Sequence, residues 1–375
     1  MKLAAWLLAA LLAGPSVAQP VLDFTPEERE RIASHGPWPP ASLRDPANRA
    51  DGRREAVEFG RTLFFDPRLS AGGERSCASC HVPARAFQDG RPVALGRASG
   101  IRNTPTLLDA AQRRWFGWDG AHDSLWAASL SPLLQAGEMG QRLETLAETV
   151  RREPRLSAGY RSAFGAVPGA VDERVATDVA KALAAYQATL VSPRTPFDDF
   201  RDALLRGDRV AAARYPIAAQ RGLRLFVGEA RCSVCHAGAA FSNGEFADIG
   251  VPFFVPGGVD PGRHGGLHKL LASRMNRLGP HNDAGAADPR AVATRHVVVE
   301  PRHFGEFKVP GLRQLVRTAP YMHDGSLARI EDVVQHYSAL NEERLHADGE
   351  RILRRLDLTP AQAADLAAFL RSLSR

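Results

Sequence analysis

Lysine is almost missing from this sequence. Four lysines stand among 375 residues, and arginine supplies nearly all the positive charge. We read that bias as base composition, without functional weight. Long basic runs are missing too. Arg is interspersed with Asp and Glu, so the formal net charge of +6 describes a solvated surface and not a nucleic-acid-binding one. Steering of an acidic protein partner remains compatible with it. Apolar runs are scarce. The one at the start, residues 3–12, is too short to span a bilayer comfortably. It follows Lys2 and precedes the small-x-small triplet Ser16-Val17-Ala18. Such a start predicts a secretory leader over residues 1–18, cleavage before Gln19, delivery to the periplasm and no membrane span. Only four cysteines occur. An even count in an exported chain invites disulfides, but the spacing points elsewhere.

The cysteines fall in CASCH (residues 77–81) and CSVCH (residues 232–236). C-x-x-C-H is the attachment motif of a c-type haem. Two thiols three apart on one helical turn can add to the two vinyl groups of one porphyrin. The next residue then offers an imidazole to the iron. Cys77, Cys80 and His81 would hold one haem, and Cys232, Cys235 and His236 a second. A thioredoxin-like redox pair does not explain a fifth-position His twice. A zinc site would more often use C-x-x-C pairs or distant His pairs.

Each motif follows a similar helical segment. EAVEFGRTLFF (residues 55–65) precedes the first and IAAQRGLRLFVG (residues 217–228) the second, both carrying Gly-x-x-Leu-Phe. This faint repeat predicts an all-α fold of two cytochrome c-like domains with long irregular loops, residues 19–205 and 206–375. The final helix, starting at the Thr359-Pro360 cap and running to about Leu373, is free to pack back on the first domain. Residues 173–190 place Val175, Val179, Leu183, Tyr186 and Leu190 on one stripe. Residues 251–302 are rich in Gly, Pro and His and read as a long loop, with His264, His268, His281 and His296 exposed on it.

FFDPRLSAGGERSCASCH, NTPT (103–106), WDG (118–120), GEMG (137–140), FKVPGLR (307–313) and TAPYMHDGS resemble the bacterial dihaem cytochrome c peroxidases and the related MauG group. The resemblance covers nearly the whole mature chain and is weaker in the Gly/His-rich stretch. It implies that the N-terminal haem meets peroxide and the C-terminal haem stores or relays electrons. It puts Trp118 between the haems and Glu138, twenty residues on, over the first iron. There a carboxylate would move a proton between peroxide oxygens. It also implies a calcium site at Asn103, Thr318 and Pro320. The residues by themselves allow Trp118 as a core aromatic and Glu138 as a loop carboxylate.

Two departures assign the subtype. Bacterial cytochrome c peroxidases carry a His sixteen residues after the first motif's His, which blocks the iron until the other haem is reduced. Here that position is Arg97, and no His lies between His81 and His122. The first iron should therefore need no reductive activation. The same peroxidases ligate the second iron with a Met fourteen residues beyond the His of the HDG motif. From His323 that count reaches Tyr337, as in MauG-like, MbnH-type proteins. Ile330, Val333, Val334 and Tyr337 form one apolar stripe. Met322 as ligand, or Tyr337 as a core residue bonded elsewhere, are the alternatives. A thioether favours ferrous iron, whereas a phenolate favours ferric and higher states.

The resemblance thus implies a hydrogen-peroxide-dependent oxidoreductase. Its high-valent dihaem state would oxidise a Trp or Tyr of a partner protein over a distance. The alternative is a cytochrome c peroxidase reducing hydrogen peroxide with electrons from a small cytochrome or cupredoxin. A carrier with both irons saturated and a disulfide-stapled binding module are the non-catalytic readings. Dimers occur among the peroxidases, so self-association stays open.

Overall fold

The computed structural model describes residues 20–41, 44–256, 258–349 and 352–375, and the expected leader lies outside the described residues. These residues are mostly helical. The first half contains α1 (Pro26–Ser34), α2 (Arg54–Phe64), α3 (Cys77–Cys80), α4 (Leu125–Leu134), α5 (Leu143–Arg152), α6 (Pro154–Phe164) and α7 (Asp172–Gln187). After α8 (Pro196–Leu205) and α9 (Arg209–Ala212) come α10 (Ile217–Val227), α11 (Arg263–Ala272), α12 (Ala291–His296), α13 (Ile330–Ser338) and α14 (Pro360–Ser372). Sheet is confined to two antiparallel pairs of two-residue strands. β1 (Phe246–Ala247) pairs with β4 (Phe307–Lys308), and β2 (Phe254–Val255) with β3 (Gly258–Val259).

The repeat seen in the sequence becomes two equivalent helix crossings. Helix α2 buries Phe59, Gly60, Leu63 and Phe64 on one face, and α10 buries Gly222, Leu223 and Phe226. A Cβ on Gly60 would lie 1.9 Å from the Ala182 carbonyl oxygen of α7. One on Gly222 would lie 1.9 Å from the Asp365 carbonyl oxygen of α14. One turn further on, Tyr186 and Phe369 close over the two glycines. Only glycine lets the backbones approach this closely. Helix α7 is buried around most of its circumference, more than its single expected stripe requires, because α2, α4 and α5 all pack on it.

Two apolar cores result. The first joins α2 and α4–α7. The second joins α10, α13 and α14, and it also takes Ile32 from α1 and Phe197 and Phe200 from α8. Segments on both sides of residue 205 therefore build one core. The final helix lies within it, against α10 and α13. Its start is capped as expected: the Gln362 N–H donates to Thr359 Oγ1 at 3.3 Å. A buried bidentate pair adds a polar tie between α8 and the 307–313 segment. Arg313 donates to both Asp198 oxygens at 2.9 and 2.8 Å.

Residues 251–302 correct the loop expectation. They hold α11, α12 and the β2–β3 hairpin. Gly265 and Gly266 erase the helical period from α11, but Leu267 and Leu270 pack on Trp115. Gly266 meets the Asp119 backbone, where a Cβ would be 2.0 Å from the carbonyl. His264 and His268 lie one turn apart on this helix. His296 ends α12 and is exposed. His281 is buried at 9% exposure, 3.0 Å from the Glu173 carboxylate.

Candidate dihaem site

None of the four cysteines forms a disulfide. In the first motif one helical turn carries Cys77 and Cys80, and the His81 N–H closes it on the Cys77 carbonyl at 2.9 Å. In the second, a 3-10 turn begins at Cys232, and the His236 N–H reaches the Cys232 carbonyl at the same distance. Burial pushes the Cys77 and Cys232 thiols up to about 12, so neither is a reactive thiolate.

The two imidazoles are oriented alike. His81 Nδ1 lies 3.0 Å from the Phe87 carbonyl oxygen, and His236 Nδ1 lies 3.0 Å from the Phe241 carbonyl oxygen. Carbonyls of Pro105 and Pro310 face the same two rings. Burial lowers the pKa of both rings. With Nδ1–H donated to a carbonyl, Nε2 keeps its lone pair for a metal. Phe87 and Phe241 both sit at positive φ, 58° and 55°. Non-glycine residues rarely adopt this conformation, and it clusters at functional sites. Sequence reasoning missed these two residues. The signal was a Phe recurring five or six positions after each motif's His.

A cavity of about 590 Å³ opens beside the second motif and reaches toward the first. Cys232, Cys235, His236 and Tyr337 line it. Tyr337 comes from the inward face of α13, close enough to both cysteines to feel their charge, and burial raises its pKa. Its hydroxyl makes no hydrogen bond among the described residues. Met322 lines the same cavity from a left-handed turn, at φ 71°. Trp118, Asn103, Thr318 and Pro320 also meet there. Trp118 Nε1 donates to the Asn103 carbonyl at 2.8 Å. Asn103 Nδ2 donates to the Arg91 carbonyl at 2.7 Å, which leaves Asn103 Oδ1 without a donor among the described residues. His323 stacks flat on Phe307 at 3.5 Å between ring centres.

Glu138 stands apart from that cavity, near enough to Cys77 and Cys80 to raise both thiols electrostatically. Its surface is exposed, yet the protein mass around it raises its own pKa by desolvation. The Ala98 N–H donates to the Gly137 carbonyl at 3.0 Å, and the Arg97 N–H donates to the Glu138 carbonyl at 3.3 Å. A Cβ on Gly96 would sit 2.3 Å from the Gly137 oxygen. The Arg97 loop is therefore backed directly onto the Glu138 loop.

Thiol pairs and imidazoles on matched supports at both motifs, with a cavity beside the second, fit haem and define a two-haem c-type protein. The di-haem cytochrome c peroxidase family matches residues 54–208. The methylamine utilization protein MauG of Methylorubrum extorquens is 35% identical over 322 residues, covering 85% of this chain and 78% of that protein. A cytochrome-c peroxidase of Denitromonas iodatirespirans is 33% identical over 345 residues, covering 90% and 86%. The crystal structure of a MauG-like protein associated with microbial copper homeostasis superposes with a TM-score of 0.66 at 27% identity, covering 90% of this chain and 95% of that one. The chain belongs to the dihaem cytochrome c peroxidase and MauG family. It is a dihaem oxidoreductase of the peroxidase/oxidase class, with two c-type haems. No described helix is long and apolar enough to cross a membrane.

Proposed function

We propose that this chain is an exported, periplasmic, MauG-like oxidase. It uses hydrogen peroxide to withdraw electrons over a distance from an aromatic side chain, Trp or Tyr, of a partner protein. The observation that carries this reading is the unbonded hydroxyl of Tyr337, turned to the cavity it shares with Cys232, Cys235 and His236. A tyrosine hydroxyl inside a protein ordinarily finds a partner; for half-buried Tyr337 the iron of a haem held at the second motif would be that partner.

Cys77, Cys80 and His81 would hold one haem, and Cys232, Cys235, His236 and Tyr337 the other. Bound there, haem supplies the iron chemistry that reduces peroxide and stores oxidising equivalents. Glu138 carries a proton from one peroxide oxygen to the other, a task suited to a carboxyl with a raised pKa. The Arg97 loop fixes the Glu138 backbone and presents no imidazole, which leaves peroxide free to approach. Trp118, held by the Asn103 carbonyl, offers an electron path between the motifs. Asn103 Oδ1 with backbone oxygens of Thr318 and Pro320 suits calcium, which takes oxygen ligands.

The test is addition of hydrogen peroxide to the diferric protein, followed by visible and spin-resonance spectra. The expected result is an oxidised form long-lived enough to record, absent from Glu138→Gln and Tyr337→Phe. No such form, with fast turnover on a reduced small cytochrome or cupredoxin, would reassign the chain as a cytochrome c peroxidase.

A further inference from the structure

Lys308 ends β4 beside Trp118, its N–H donating to the Trp118 carbonyl at 2.8 Å. Its side chain is 8% exposed and lines the 590 Å³ cavity. Among the described residues its ammonium makes no hydrogen bond and no ion pair. The charged group acting on it is another cation, Arg113, and burial with that repulsion drives the Lys308 pKa well down. Arg113 lines the same cavity. Its guanidinium donates from Nη2 to the Thr106 and Leu108 carbonyls, both at 2.8 Å, and the other two guanidinium nitrogens have no partner among the described residues. Asp109 faces Arg113, but its own Oδ1 accepts the Ser192 N–H at 2.8 Å and burial raises it. Two neutral groups, Gln88 Nε2 and His323 Nδ1, line this cavity buried and unpartnered as well.

The one anion acting on this pair of cations is Asp109, already engaged by Ser192. Burying a charge without a counter-ion is costly, and two adjacent cations cost more. An anionic, acceptor-only ligand offsets both, and a guanidinium fork matches a carboxylate. We propose that Lys308 and Arg113 form a carboxylate-binding site between the two motifs that seats haem propionate groups and tunes a haem potential. This rests on the dihaem reading above. Propionates are the carboxylates that reading brings to the cavity, and a free small carboxylate is the other source.

The test uses the holoprotein as wild type, Lys308→Met and Lys308→Arg. Haem per chain is counted by pyridine haemochrome, which tests the dihaem reading separately. Midpoint potentials are then titrated with and without acetate, and propionate bending bands recorded by resonance Raman. Lys308→Met should lower one haem potential, because losing a buried cation favours ferric iron. Lys308→Arg should restore it while shifting a propionate band. Acetate should leave the wild type unchanged. Fully loaded Lys308→Met with wild-type potentials would overturn the proposal. So would a propionate band unmoved in Lys308→Arg, a readout that survives even if Lys308→Met fails to fold. An acetate-dependent wild-type potential, abolished by Lys308→Met, would overturn the propionate assignment in favour of a free anion.

Discussion

Around His81 and around His236 the chain builds the same support from different residues. In each half a glycine-notched helix, α2 or α10, crosses a partner helix, α7 or α14, at backbone distance. In each half a phenylalanine at positive φ turns its carbonyl onto Nδ1 of the motif histidine. What faces the two motifs differs. Near the first stands Glu138, a carboxyl with a raised pKa, backed by the Arg97 loop. Near the second stands Tyr337, which lines the cavity and whose hydroxyl has no hydrogen bond among the described residues. A duplicated scaffold can thus hold both imidazoles alike while the groups opposite them divide the labour. That division is what the following experiments probe.

The largest effect should come from Glu138→Gln, which keeps the shape and removes the proton carrier. Peroxide-dependent turnover should fall by roughly 10²–10⁴-fold, the usual worth of general acid–base catalysis, with haem content unchanged. Stopped-flow kinetics beside a haemochrome count checks it, and wild-type turnover in this variant would remove Glu138 from the chemistry. Tyr337→Met should act on the other half alone. Exchanging an anionic oxygen for a neutral thioether should raise the midpoint potential of the second haem and leave the first where it was. A spectroelectrochemical titration showing both potentials unmoved would mean that Tyr337 is not a ligand.

The shared scaffold can be broken symmetrically. Gly60→Ala and Gly222→Ala each drive a Cβ against a carbonyl oxygen that a helix cannot move aside. Each should destabilise by about 1–3 kcal/mol or more, the range for overpacked cores, and both should lower Tm. A loss in one half only would show that the two crossings are not equivalent. A comparable effect is expected on pH dependence. Burial lowers His122 to about 4, against an unfolded value near 6.5. Between those values the unfolded chain binds a proton that the fold refuses. Stability is therefore full above about pH 6.5 and falls as pH drops toward 4, by up to about 1.4 kcal/mol per unit. Thermal unfolding across that window should be flatter in His122→Gln than in the wild type.

What was legible in the sequence follows the physics of each signal. The haem motifs are local and chemical. Helix α13 carries an apolar stripe, and α2, α10 and α14 carry apolar periods or a capping pair whose ends fall within about a residue or two of expectation, as boundaries usually do. Helix α11 was illegible because Gly265 and Gly266 serve close packing and not helix propensity, Gly265 against Pro261 and Gly266 against the Asp119 backbone. His281 looked like a loop residue because its burial against Glu173 joins positions far apart in the chain. The carbonyls of Phe87 and Phe241 depend on backbone angle, which residue type does not announce. Lys308 read as one polar residue of a motif, since nothing in a linear pattern shows that its charge is buried next to Arg113.

The division of labour is tested most directly by electron paramagnetic resonance of the diferric protein, as wild type and as Tyr337→Phe. One high-spin and one low-spin ferric haem are expected in the wild type, with the substitution changing only the low-spin signal. Two low-spin haems, or a low-spin signal identical in Tyr337→Phe, would contradict it.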